Sequence, residues 1–189
     1  MYKNCRTERS AQRQRQFAHE MMEMLYHQPY DDITVSMVCE RVNMPRKAFY
    51  RYFESKQDIL FLIADEFLHN YEKDIDLYLR KKQHTFQEEL KRIFEVARQS
   101  KPLLDALERD GLRNAYFGYI FEQCLSNTGF TKHLALQNTQ TQLRVSQLFI
   151  ISGLVSLFID WLNRGCLESE QEIAEAAAGL FTQPLIIMD

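Results

Sequence analysis

Proline and glycine are scarce in this sequence, which has four prolines and six glycines among 189 residues. Because β-rich folds use both residues heavily in their turns, this scarcity favours long helices over a β architecture. Cysteine is also sparse, with no CxxC pair and no zinc-finger spacing of cysteine and histidine. We therefore expect no metal site and reduced cysteines, at least two of them in core positions. The four are Cys5, Cys39, Cys124 and Cys166.

Long apolar runs and catalytic motifs are absent too. The most apolar stretch, residues 148–162, includes polar side chains and is shorter than the roughly 20 residues of a membrane span. The N-terminus has no apolar signal-peptide core. No GxSxG, P-loop, dinucleotide fingerprint or HExxH occurs, and the five histidines are scattered. We expect a buried helix at 148–162 in a cytoplasmic protein that is not an enzyme and has no catalytic residue, metal or cofactor.

Charge is unevenly distributed along the chain. The net charge is −3, yet residues 1–60 have ten basic and eight acidic side chains, with the basic ones concentrated in 1–15 and 41–56. This asymmetry indicates an anionic partner at one end, although a solvated amphipathic surface is the alternative. Arg9 and Arg13 could reach a minor groove or belong to a soluble terminus.

Apolar residues recur every three to four positions along most of the chain, which predicts nine helices and no strand. Candidate N-caps are Thr34, Ser55, Thr85 and Ser169, and Pro45 suits the first position of the third helix. We predict an all-α fold in which a three-helix head, residues 1–54, is joined by a long fourth helix to a body of residues 55–189. The predicted helices begin near residues 8, 35, 45, 55, 86, 102, 112, 133 and 169.

The stretch from Ile33 to Phe53 has the pattern of a helix-turn-helix, with two short helices around a tight turn at residues 42–44. Asn43 tolerates the left-handed backbone that such a turn needs. Phe49 and Phe53 are four positions apart on one face of the second helix. They should therefore anchor that helix on the core of the head.

The opposite face of this second helix is cationic. Lys47 and Arg51 lie about 160° from the phenylalanine face, on a period of 100° per residue. Because the N-terminal part of a recognition helix meets base edges in the major groove, Arg46 and Lys47 are candidates for donating to guanine. Three further side chains could bind phosphate: Tyr50, Tyr52 and Lys56. A packed surface aromatic at Tyr50 and a solvated charge at Arg51 are the alternatives.

The block Ala48-Phe-Tyr-Arg-Tyr-Phe53, followed by Ser55-Lys56 at a helix start, resembles the DNA-binding domain of the tetracycline-repressor (TetR) family over about residues 8–60. Asn43 replaces the glycine usual in the family, and Tyr52 stands where the family usually has histidine. The resemblance implies that Thr34 and Ser36 approach phosphate and that Arg46, Lys47 and Ala48 face bases. With the backbone-binding tyrosines and the remaining cations, the predicted DNA-binding set is Thr34, Ser36, Arg46, Lys47, Ala48, Tyr50, Arg51, Tyr52 and Lys56.

A single helix-turn-helix makes few base contacts, so such proteins usually bind palindromic double-stranded DNA as two-fold dimers. The resemblance implies a homodimer seam built from helices 8 and 9, where Ser152, Gly153 and Ser156 allow close approach. Which face of these helices pairs stays open, because part of it must be internal core. Residues 157–165 and the acidic 168–172 are similar to a C-terminal half common in the branch of the family from low-GC Gram-positive bacteria.

The body is rich in aromatic residues, which could line an apolar pocket for a small effector or could simply be core. The candidate ligand-binding residues are Phe67, Tyr71, Phe94, Tyr116, Tyr119, Phe149 and Trp161. The sequence thus predicts a sequence-specific transcriptional regulator, a homodimeric repressor released from its operator by a small hydrophobic ligand. An activator, or a helical adaptor with vestigial DNA binding, is the alternative.

Overall fold

The computed structural model describes residues 2, 3, 5, 7–79, 85–126 and 139–180, with the side chains of 71, 72 and 74–79 left aside. Within these residues the chain forms nine α-helices, one short 3-10 turn at Tyr30–Asp32 and no strand, which confirms the all-α prediction. The helices are α1 Glu8–His27, α2 Val35–Arg41, α3 Arg46–Phe49, α4 Gln57–Leu79, α5 Phe86–Gln99, α6 Lys101–Arg109, α7 Arg113–Ser126, α8 Gln140–Asn163 and α9 Glu170–Gly179.

Most helix starts follow the capping residues of the sequence. The hydroxyl oxygens of Thr34, Thr85 and Ser169 each accept a hydrogen bond from the backbone three residues on, as predicted. Thr85 and Ser169 complete capping boxes with the glutamate at that position.

Two helix starts differ in detail from the sequence expectation, and a third is not tested. Pro45 is the N-cap of α3 instead of its first residue. The α4 helix begins at Gln57, and the carboxylate of Asp58 accepts the backbone N–H groups of Glu54 and Ser55 at 2.8 and 3.3 Å. The bond from the Ser55 N–H is the one that the acid of a capping box accepts, so it agrees with the expected N-cap at Ser55. The expected start of the eighth helix near residue 133 lies outside the described residues.

Three helices end in the same hydrogen-bonded motif, in which a residue of positive φ follows the cap. After α2, Asn43 has φ of 51°, and the next N–H, of Met44, donates to Cys39 O at 2.9 Å. Gly111 after α6 and Gly165 after α8 play the same part with φ of 68° and 75°. This is the Schellman arrangement, which satisfies the last carbonyls of a helix. The predicted left-handed turn at Asn43 is therefore confirmed.

Packing divides the chain into two compact units, residues 1–68 with 102–123 and residues 69–101 with 124–189. The first unit contains the helix-turn-helix, and its α6 end caps the end of α1. Arg109 donates to the carbonyls of Leu25 and Gln28 at 3.0 and 2.9 Å, and Asp110 accepts the N–H of Tyr30 at 2.9 Å. The predicted division into a DNA-binding head, residues 1–54, and a body, residues 55–189, is a functional division and remains a prediction.

The second unit is organised around α5, which packs along α9 and also contacts α8. Phe94 and Trp161 are fully buried there, with ring centroids 5.2 Å apart in an edge-on contact. Two of the four cysteines, Cys124 and Cys166, are buried in this unit, and Cys39 is buried in the first. The expectation of at least two core cysteines is confirmed.

The expectation of a buried helix at 148–162 is wrong within a single chain. Among the described helices, α8 is long and apolar enough to span a membrane by length and composition. Its fully enclosed side chains are nevertheless few: Ile151, Leu154, Trp161 and Leu162. The physical reason is that the described helices leave apolar side chains of α8 uncovered, and Val145 and Phe149 are 60% and 67% exposed.

Candidate nucleic-acid interface

The recognition segment is α3 together with the turn that follows it, residues 46–53. The helix itself has four residues, and turn hydrogen bonds continue it, from Tyr52 N–H to Phe49 O at 2.9 Å and from Phe53 N–H to the same oxygen at 3.1 Å. Phe49 and Phe53 have no exposed surface and each lies 5.6 Å from the ring of Phe17 on α1. The expected aromatic anchor is therefore confirmed.

The outer side of this segment is cationic. Arg46, Lys47 and Arg51 are all exposed, and Tyr50 is 43% exposed. A guanidinium nitrogen of Arg46 lies 3.3 Å from the Tyr50 hydroxyl, while the Tyr50 ring packs edge-on against Phe49 at 5.3 Å. The structure thus brings these predicted residues together on one surface, with the aromatic ring between cation and core.

Thr34 and Ser36 lie at the N-terminal end of α2. The hydroxyl oxygen of Thr34 accepts the N–H of Met37 at 3.2 Å, which leaves the hydroxyl hydrogen free to donate outward. Thr34 is exposed and Ser36 is half-buried. Because a hydroxyl can cap a helix through its oxygen and donate through its hydrogen, the cap of α2 is compatible with a phosphate contact.

Lys56 is engaged inside the head. Its ammonium group donates to the carbonyls of Tyr30 and Ile33 at 2.7 and 3.0 Å and lies 3.9 Å from the centroid of the Tyr30 ring. Burial, with the nearby Asp31 and Asp58, raises the pKa of Tyr30 to about 12, so its hydroxyl stays protonated. Lys56 therefore holds the 3-10 turn before α2 and keeps at most one N–H for a phosphate.

Ala48 and Tyr52 are less accessible to DNA than the sequence suggests. Ala48 has no exposed surface, because its methyl group points into the head, so a base contact by Ala48 would need the head to repack. Tyr52 is half-buried, its ring lies 6.1 Å from Phe17, and its carbonyl is already hydrogen-bonded. The cationic residues of the segment are the ones offered to a partner.

Sequence reasoning missed three residues that hold this segment. Lys3 donates its backbone N–H to Tyr52 O and its ammonium to Tyr50 O, both at 2.8 Å. The buried side-chain amide of Gln14 donates to Lys3 O at 2.7 Å. A third residue, Tyr2, donates its hydroxyl to the carboxylate of Asp65. Gln14 could have been found, since this polar residue continues the apolar stripe that includes Phe17 and Ala18.

The candidate ligand-binding residues fall in both units. In the first, Phe67 is half-buried, Tyr116 is buried, and Tyr119 stacks on Phe61 at 4.4 Å while donating to Asp65 at 2.9 Å. Burial raises the pKa of Tyr116 and, with the bond to Asp65, that of Tyr119, so both hydroxyls remain donors.

In the second unit, the indole N–H and the ring of Trp161 already have partners within the chain. Its indole N–H donates to Glu168 O at 3.1 Å, the Arg98 guanidinium lies 4.9 Å from its ring, and Phe94 packs on its edge. Phe149 is exposed, and the side chain of Tyr71 lies outside the described residues. In the part of the chain that the structure describes, no cluster of three or more His, Cys, Asp or Glu side chains could hold a metal ion.

Comparison with known proteins agrees with this geometry. Residues 21–63 match the family model for bacterial regulatory proteins of the tetR family. Among solved structures, a putative TetR-family regulator from Syntrophomonas wolfei aligns with a TM-score of 0.64 at 16% identity, covering 95% of this chain and 99% of that one. No curated protein sequence matches closely enough to add a relative.

Two further solved structures share the fold. The repressor AlkX from Dietzia sp., implicated in biodegradation of n-alkanes, aligns with a TM-score of 0.58 at 16% identity, covering 88% of this chain and 92% of that one. The fatty acid degradation regulator FadR from Bacillus halodurans aligns with a TM-score of 0.57 at 14% identity, covering 92% of this chain and 96% of that one.

Proposed function

We propose that this chain is a DNA-binding transcriptional regulator, a homodimeric cytoplasmic repressor of a palindromic operator, because residues 21–63 of its head match the family model of tetR regulatory proteins and its fold is shared with solved TetR-family regulators. The observation on which the proposal depends is the two-sided recognition segment. Phe49 and Phe53 are fully buried on one side, while Arg46 and Lys47 are exposed on the other. This arrangement lets a rigid helix present cations to a groove.

In this proposal, Arg46 and Lys47 read base edges and the surrounding groups set position. Arginine and lysine donate to the acceptor pair of guanine in the major groove. The phosphate contacts come from Thr34, Ser36, Tyr50, Arg51 and Tyr52, with Lys56 contributing its remaining N–H. Phosphate contacts give affinity but no sequence information, so the two classes of residue should respond differently to mutation.

The exposed face of α8 supports the homodimer. Val145 and Phe149 present apolar surface to solvent, and Ser152, Gly153 and Ser156 lie near them on the helix. A Cβ atom at Gly153 would meet nothing within 4 Å in the single chain. Glycine in mid-helix costs stability relative to alanine, so an approaching second helix is a physical reason for it.

We propose a small hydrophobic molecule as the effector, bound in the helical body among its aromatic side chains. Such a ligand must bind the DNA-incompetent conformation more tightly, by about 5 kcal/mol for a complete switch. The long α4, which runs from the head into the body, would transmit the change. A spin-label distance between the two heads that is the same with and without an inducing ligand would refute this mechanism.

The regulator proposal is tested by selecting bound duplexes from random DNA and measuring their affinity by fluorescence anisotropy. We expect Arg46→Ala and Lys47→Ala to weaken binding to the selected duplex about tenfold to a hundredfold and to relax the base preference at one position of each half-site. Lys73→Ala is the matched control, because Lys73 is an exposed cation on α4 outside the head. A protein that binds no duplex would instead support the adaptor alternative.

The same anisotropy assay tests the effector, with palmitate as a long-chain probe and naphthalene as a planar aromatic probe. We expect one of the two probes to release the protein from the duplex. The same probe concentration should release the Lys73→Ala control equally well. If neither probe changes the affinity for DNA, the proposal of a hydrophobic effector fails. The assignment of the recognition segment does not depend on this result.

A further inference from the structure

Two backbone carbonyls at the end of the recognition segment are bound by a residue far away in the sequence. Lys3 donates its N–H to Tyr52 O at 2.8 Å and its ammonium to Tyr50 O at 2.8 Å. The last carbonyls of a helix lack partners within the helix and favour a positive charge nearby. Lys3 therefore caps the recognition segment from outside it.

The backbone of Lys3 is itself held on α1. Gln14, only 4% exposed, donates its amide to Lys3 O at 2.7 Å and approaches Tyr52 O at 3.4 Å. Because a buried amide is costly unless its polar atoms are paired, Gln14 fixes Lys3 and the end of the recognition segment to the same point. The cap is thus a built feature of the head.

The neighbouring residue ties this cap to two further helices. The hydroxyl of Tyr2 donates to the carboxylate of Asp65 on α4, and Tyr119 on α7 donates to the same oxygen at 2.9 Å. Phe61 stacks on the Tyr119 ring at 4.4 Å, which fixes its direction. Burial and the bond to Asp65 raise the pKa of Tyr2 far above its usual value, so this hydroxyl stays a donor.

We propose that Tyr2 and Lys3 form a strap that positions the recognition segment for DNA, anchored at Asp65, which the strap shares with Tyr119 of α7. This inference rests on the proposed role of α3 in reading DNA. A helix of four residues is marginal alone, because helix nucleation is unfavourable, and so its geometry depends on outside contacts. Tyr2, Asp65 and Tyr119 are positioning residues, and a shift of α7 that withdraws Tyr119 weakens the anchor.

The strap is tested with Tyr2→Phe and Tyr119→Phe, each of which removes one hydroxyl and no charge. Tyr26→Phe, a partly exposed tyrosine on α1, is the matched control. Hydrogen exchange at the amides of residues 51–53 is measured without DNA, and affinity is measured for the tightest selected duplex. For Tyr2→Phe we expect exchange about threefold to tenfold faster and a comparable decrease of affinity, the range of one net hydrogen bond. Tyr119→Phe should change both in the same direction by less.

The salt dependence of binding separates positioning from direct neutralisation of phosphate charge. Tyr2→Phe should leave the slope of log affinity against log salt unchanged, whereas Arg51→Ala, which removes an exposed cation proposed to contact phosphate, should reduce its magnitude by about 0.9 for each phosphate that the side chain neutralises. The strap is overturned if Tyr2→Phe and Tyr119→Phe match Tyr26→Phe in both exchange and affinity. If no duplex is bound at all, the proposed function fails, while the exchange measurement still decides whether the strap holds the segment.

Discussion

The phenylalanine core of the head and the apolar face of α8 place aromatic side chains in opposite environments. Phe17, Phe49 and Phe53 have no exposed surface, and their ring centroids lie between 5.2 and 5.6 Å apart. Phe149 on α8 is 67% exposed. The head thus completes its core within one chain, whereas α8 has exposed apolar surface, which the proposed dimer would bury. We therefore expect the phenylalanines of the head to determine folding and Phe149 to act in assembly.

The largest effect should come from truncating a phenylalanine in the head. Phe53→Ala removes a fully buried ring that packs against Phe17 and Phe49, and we expect it to lower the free energy of unfolding by about 3–5 kcal/mol. Urea denaturation followed by circular dichroism measures the free energy of unfolding of each variant. Phe149→Ala is the matched variant on the exposed surface and should change intrinsic stability far less. Equal decreases at the two sites would break the comparison.

The next effect concerns assembly, and it uses two substitutions at one position of α8. Gly153→Leu places a large side chain on the exposed face, where nothing lies within 4 Å in the single chain, so the monomer should fold normally. We expect it to separate the dimer, as measured by light scattering. Gly153→Ala should keep the dimer and stabilise the helix by up to about 1 kcal/mol. A Gly153→Leu protein that stays dimeric would move the seam away from this face.

A smaller effect is expected at two matched helix caps, one in each unit. Thr34 and Thr139 each accept a backbone N–H at 3.2 Å, from Met37 and Gln142. Thr34→Ala and Thr139→Ala should each cost about 1 kcal/mol of stability. Only Thr139→Ala should also weaken the proposed homodimer, because Thr139 caps α8 and the proposed seam lies on that helix. Light scattering over a dilution series checks this, and a dimer weakened equally by Thr34→Ala would contradict it.

The smallest effect is a pH dependence confined to the head. Burial raises the pKa of Asp58, whereas the hydrogen bonds from the N–H groups of Glu54 and Ser55 lower it, and on balance the pKa lies below its usual value. A carboxyl group with a depressed folded-state pKa stabilises the protein above its unfolded pKa of about 3.9, and this contribution is lost as pH falls through the folded value. Acid titration of stability should be shallower for Asp58→Asn than for the wild-type protein. Identical curves would rule out Asp58 as a source of acid sensitivity.

The fold and the exposed cations of the recognition segment could be predicted because their causes are local in sequence. The spacing of apolar residues, the caps at Thr34 and Thr85 and the turn at Asn43 all lie within a few residues of the structure that they determine. The roles of Lys56 and Lys3 could not be predicted in the same way. Each donates to carbonyls more than 20 positions away, and such pairing follows from tertiary packing alone.

The exposure of α8 was also beyond sequence reasoning, since an apolar helix has the same composition whether its neighbours belong to its own chain or to a second one. The aromatic residues of the body show a similar limit. Phe94 and Trp161 are mutual packing partners, yet Phe149, of the same residue type as Phe94, lies in solvent. The spacing of these residues along the helices shows which side chains share a helix face. It does not show whether another part of the protein covers that face.

The contacts at the end of α6 determine which fragments of the chain keep the start of the helix-turn-helix intact. Arg109 binds the final carbonyls of α1, and Asp110 binds the N–H of Tyr30, so the start of the helix-turn-helix depends on atoms about 80 positions later. A fragment that stops after α4 would lack these partners and expose three backbone groups. An engineer who wants to graft this DNA specificity onto another sensor should therefore transplant α6 and α7 with the head, or exchange individual side chains on the recognition segment.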